Sequence, residues 1–116
     1  MQKIILFFVL TLFFGCAKYQ IYDINFTQKN FSIQVDGVMY ILYVPKNDGY
    51  HFAIFDTFGV PKANKVLKNG KFQSNKFLPS DSFYELLFIE SLEMIDKGIK
   101  QKDFILKNKQ VKMVEI

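Results

Sequence analysis

The sequence predicts an α+β domain in which a curved antiparallel sheet of about six to eight strands wraps one amphipathic helix. Three observations lead there. Short apolar or alternating runs recur between turn signals, the pattern of strands. One stretch between Ser82 and Gly98 switches to helical periodicity. The gaps between runs are too short for crossover connections, so neighbouring strands must pair antiparallel.

Residues 1–15 read as a lipoprotein signal peptide and not as fold. Met1-Gln2-Lys3 is a short positive region, and Ile4 to Phe14 is an apolar run of eleven residues broken by Thr11. A bilayer span needs about 20 residues, so this run suits a cleaved signal better than a membrane helix. Gly15-Cys16 resembles a bacterial lipobox, which implies cleavage before Cys16 and acylation of its thiol and new amino group. Phe13 and Phe14 stand where that pattern usually has Leu and a small residue. An ordinary signal peptide or a buried N-terminal strand are the alternatives. Cys16 is the only cysteine, so no disulfide forms within the chain.

Residues 16–20 then read as a short lipid-anchored linker, and 21–116 as a single domain with one core. Without Lys3, 14 basic residues face 11 acidic ones, and every basic residue is lysine. Lysine lacks the bidentate fork of arginine, and these lysines are scattered, so a solvated surface explains them better than a nucleic-acid footprint.

Tyr19 to Phe26 is moderately strand-like, and Phe31 to Asp36 alternates strictly, with Gly37 closing a tight turn. Val38 to Val44 and Phe52 to Phe55 are apolar on both faces, around the turn Pro45 to Gly49. Such strands need cover on both sides, or one side lines an apolar concavity. Lys62 to Lys68 and Lys71 to Leu78 flank Asn69-Gly70, a strong hairpin signal, and Pro79 ends the second strand. Ser82 with Glu85 makes a capping box for a helix from about Phe83 to Lys97, closed by Gly98. Leu87 and Leu92 lie on its apolar half. Glu85, Glu90 and Glu93 read as a solvated face. Phe104 to Leu106 and Val111 to Ile116 form a last hairpin around Lys107-Asn108-Lys109.

No catalytic constellation is present, so the chain reads as a non-enzyme with no cofactor and no metal site. His51, the single histidine, reads as a structural or exposed side chain. Asp36, Asp48 and Asp56 each neighbour a turn, and turn chemistry accounts for them. The apolar excess has two readings. Either a small core uses every aromatic it has, or Tyr40, Leu42, Phe52, Ile54, Leu87 and Leu92 line an acyl-chain cavity between sheet and helix. The turn Thr57-Phe58-Gly59, bounded by Pro61, raises the same question. Phe58 is either tucked back over the core or held out for a partner.

From Tyr50 to Lys97, the order of strand, apolar turn, hairpin and helix resembles the outer-membrane lipoprotein receptor LolB and its relatives. Thr57-Phe58-Gly59 stands where that family has Pro-Leu-Gly, and Leu106 to Met113 looks like its closing hairpin. The chain is shorter than the family's usual length. The resemblance implies an incomplete β-barrel that holds acyl chains and a lipid anchor in the outer membrane, facing the periplasm. It also implies lipoprotein cargo delivered by a periplasmic carrier protein, and it gives Phe58 the role of membrane-inserting residue. The competing expectation is an anchored protein-protein interaction module of the cell envelope with no lipid cargo.

Overall fold

A computed structural model describes residues 19–74 and 82–116. Among the described residues seven strands and one helix follow in order: β1 (Gln28–Val35), β2 (Val38–Pro45), β3 (Tyr50–Asp56), β4 (Pro61–Lys68), β5 (Lys71–Ser74), α1 (Ser82–Lys97), β6 (Gln101–Leu106) and β7 (Lys109–Glu115). They build one antiparallel sheet in the order β5-β4-β3-β2-β1-β7-β6. The sheet is open. β5 and β6 are its edges, and it does not close into a barrel.

Local chemistry fixes the hairpins. Asp36-Gly37, Asn69-Gly70 and Lys107-Asn108 all have positive φ at both positions, the geometry of two-residue turns whose twist matches that of the flanking strands. The last of these manages it without glycine. The strand expected to extend to Leu78 is described only to Ser74, and Pro79 lies outside the described residues.

Register then decides the two faces. Phe31, Leu42, Ile54 and Ala63 follow one another across β1 to β4 on the same face, and Ile33 pairs with Met113 of β7 beside them. All are buried, as are Leu87, Phe88, Ser91, Leu92 and Met94 of α1, which packs on that face. The Phe88 ring stacks on Phe52 at 4.7 Å and also meets Phe72 of β5. Two residues further on, the helix reaches β6 through the Glu90–Lys102 ion pair at 2.6 Å. Its C-terminus is a Schellman motif. Gly98 N–H donates to Ile95 O and Ile99 N–H to Met94 O, with Gly98 at φ 69°. At the other end, Ser82 is already helical and its Oγ accepts from Lys107 Nζ, so the cap position falls outside the described residues.

Three expectations need correction. Tyr19 to Phe26 is not a strand. It is a strap without ladder partners, crossing one end of the core face. Tyr19 N–H donates to Gly70 O at 2.8 Å, and its ring meets Phe72. Ile24 N–H donates to the Tyr50 hydroxyl, which in turn donates to Tyr22 O, and Phe26 stacks on Tyr50. Side-chain anchoring replaces the ladder because its apolar residues plug an open end of the layer. The acidic side of α1 is not a solvated face either. Glu85, Glu90 and Glu93 are half-buried and paired with Lys65, Lys102 and Lys97. Nor are all lysines surface charges. Lys65, which faces inward from β4 beside Phe52, is 2% exposed, and its Nζ lies 2.8 Å from Glu85 Oε2.

Candidate functional site

The β3–β4 turn is held open by Asp56. Its Oδ1 accepts from both Phe58 N–H and Val60 N–H at 2.9 Å, while Gly59 N–H donates to Asp56 O. Gly59 takes φ 81°, a left-handed conformation that a side chain would strain. The Val60 N–H, followed by the Phe58 N–H and Lys62, holds the Asp56 carboxyl below the usual carboxylate range. This aspartate therefore stays a charged acceptor, and the turn keeps its shape.

Phe58 stands at the tip and is 90% exposed. Of the two sequence readings, the ring tucked over the core is excluded. Two further apolar side chains are displayed nearby, Val60 on the same turn and Val38, which starts β2 beyond the Tyr40–Asp56 pair. Val38 is 53% and Val60 47% exposed. Leaving a phenylalanine in water forfeits about 1.5–3 kcal/mol of burial.

Behind the turn, the face of the sheet opposite α1 carries a shallow groove of about 520 Å³ lined by Ile41, Tyr43, Phe55, Asp56, Thr57 and Gly59. Ile41 pairs with Phe55 and Tyr43 with Ala53, and the Tyr43 and Phe55 rings meet edge to face at 5.8 Å. Sequence reasoning missed this site, although its signal was visible. β2 and β3 are apolar on both faces, and among the described residues only one face is covered. The apolar concavity anticipated as the alternative to double cover lies on the uncovered side.

The six residues expected to line an acyl cavity behave as one group. Leu42, Phe52, Ile54, Leu87 and Leu92 are fully buried in the core between sheet and helix, and Tyr40 packs half-buried at its margin. None of them borders the groove. A second hollow, of about 500 Å³, lies at β1, β7 and β6 and has a more polar rim that includes Gln34, Asp36, Asp103 and Lys112.

His51 Nε2 sits 2.7 Å from Asn47 O, across the β2–β3 turn. Asp36 Oδ1 accepts from Gln110 N–H, and Asp36 and Asp48 adopt positive φ, so both serve their turns. On the strap, burial and then the bond to Glu93 raise the Tyr22 phenol, and that same bond, with Lys97, lowers the Glu93 carboxyl. Among the described residues no cluster of His, Cys, Asp and Glu suits a metal ion. No described helix is long and apolar enough to cross a membrane. Cys16 lies outside the described residues. No family model, curated protein or solved structure matches the chain.

Proposed function

We propose that this chain is a lipid-anchored envelope protein that contacts acyl chains and assists transfer of lipoproteins or lipids into the outer membrane without catalysis. In this reading Cys16 carries the anchor, the sheet wraps the helix as an incomplete barrel, and a periplasmic carrier delivers the cargo. The observation that carries the proposal is Phe58, 90% exposed on a turn braced by Asp56. A monomer in water gains nothing from holding that ring out, whereas a lipid interface returns the forfeited burial. The adjoining groove of Ile41, Tyr43 and Phe55 continues the apolar surface and offers a place for a chain to lie.

The test is Phe58→Glu in the lipidated protein and in a soluble form lacking Cys16. A carboxylate resists entry into hydrocarbon. Binding of the soluble form to phosphatidylethanolamine–phosphatidylglycerol vesicles is expected to disappear while the thermal midpoint stays at the wild-type value. Undiminished vesicle binding would remove Phe58 from the mechanism. The second reading, an anchored interaction module, is favoured by the β6 edge, where Ile105 is 71% exposed. Ile105→Lys with lost partner capture and intact vesicle binding would support it.

A further inference from the structure

Tyr19, the first described residue, and the Phe58 tip lie at opposite ends of β4. β4 runs from Pro61, next to the Phe58 turn, to Lys68, next to the Asn69-Gly70 turn. At about 3.3 Å per residue, that strand alone separates the two turns by roughly 23 Å. Tyr19 is fastened at the Gly70 end, by its N–H to Gly70 O and by its ring against Phe72. Only Ala17 and Lys18 stand between Tyr19 and Cys16, and three residue steps reach at most about 11 Å. A lipid on Cys16 therefore holds the strap end against its bilayer.

Two orientations satisfy that tether. In one the strands lie along the bilayer, so that Phe58 touches the membrane that holds the anchor. In the other they stand away from it, and Phe58 faces outward. The uncovered sheet face decides between them. It mixes apolar Ile41, Tyr43, Phe55 and Val66 with polar Asn30, His51, Asn64 and Gln73, Asn30 pairing directly with Tyr43 and Gln73 with Val66. Laying this face down would press exposed Asn64 and Gln73 against the lipid and desolvate their amides. On the other side, the strap end and α1 bear Glu93, Lys97, Glu115 and Lys100, all charged. Phe58, the most exposed large apolar side chain among the described residues, gathers with Val60 and Val38 at the tip, while Ile21, Ile105 and Ile116 stand exposed at other places.

We infer that the Phe58 turn engages a second lipid surface, facing away from the bilayer that holds Cys16, so that the domain bridges two lipid surfaces. This rests on the anchor and lipid contact proposed above. The occupant is lipid because the side chains displayed at the tip, one ring and two valines, are apolar and suit shallow insertion, and the tether directs them away from its own membrane.

The chain contains no tryptophan, so Phe58→Trp gives a single-tryptophan protein with its probe at an exposed site. The lipidated variant is reconstituted into donor vesicles and mixed with protein-free acceptor vesicles. Brominated phosphatidylcholine is placed in one population or the other. Quenching from the acceptors, together with acceptor capture that Phe58→Glu abolishes, is the expected result. Quenching from the donors alone would overturn the bridging inference and leave lipid contact intact. Quenching from neither, with no vesicle binding by the soluble form, would overturn both. Acceptor capture that survives Phe58→Glu would place the bridge elsewhere and also overturn the inference.

Discussion

Lys65 is a charged side chain in a core of aromatics, and Glu85 makes it tolerable. Its ammonium lies 2.8 Å from the carboxylate, while its stem fills space beside Phe52. Removing one partner of a buried pair costs far more than replacing the charge with an apolar group of similar shape. Glu85→Ala is expected to lower stability by up to about 3 kcal/mol, and Lys65→Met by less than about 1 kcal/mol. Urea unfolding of the two variants tests this, and equal losses would show that the pair does not work as described. Glu115 makes a pH-dependent counterpart. Bonds from Lys100 and then Lys29 hold its carboxyl below the usual range. A carboxyl lowered on folding contributes stability that is present above its unfolded pKa, near pH 4, and is lost as pH falls through the folded value. Glu93 and Asp56 shift in the same direction. Stability should therefore drop on acidification below about pH 5, and Glu115→Gln should flatten the slope of thermal midpoint against pH. An unchanged slope would remove Glu115 from the acid response.

The helix shows how an element is specified locally and placed globally. Its length follows from a periodic apolar half bounded by Ser82 and Gly98, and its end follows from the left-handed glycine. Which residues it buries follows from the sheet. Leu87 is fully buried, and Leu87→Ala is expected to cost about 2–5 kcal/mol by loss of transfer energy plus the cavity left behind. A denaturant midpoint equal to wild type would mean that the helix is not docked through Leu87. The hairpins were readable where Asn-Gly or Asp-Gly stood. The Lys107-Asn108 turn was placed by its flanking strands, since lysine at positive φ is not a local preference. The acidic side of α1 was misread because periodicity reports polarity, whereas burial of Glu85 and Glu90 depends on lysines brought in by β4 and β6.

At the scale of the molecule, the strap ties the sheet's open end. Tyr50 is its hub, accepting from Ile24 N–H and donating to Tyr22 O. Tyr50→Phe leaves a buried N–H and a carbonyl unsatisfied and is expected to cost about 1–3 kcal/mol. Hydrogen exchange at Ile24 should accelerate more than exchange in β1 or β2. Uniform acceleration would show that the strap has no independent role. On the proposed anchoring through Cys16, a loosened strap would lengthen the tether and weaken the opposition of anchor and tip.

The sequence alone was enough for the α+β class, the strand and helix order, and the presence of an apolar residue on the Phe58 turn. Turn residues and periodicity act over a few positions, so their effects are written in the local chain. Tertiary structure decided that Phe58 points outward, that five of the six suspected cavity residues sit in the core with Tyr40 at its margin, and that Tyr19 to Phe26 docks as a strap. It also placed the apolar groove on the face away from α1. Each of these depends on which face of a strand meets another element, and a two-residue repeat that is apolar on both sides carries no information about which side is covered.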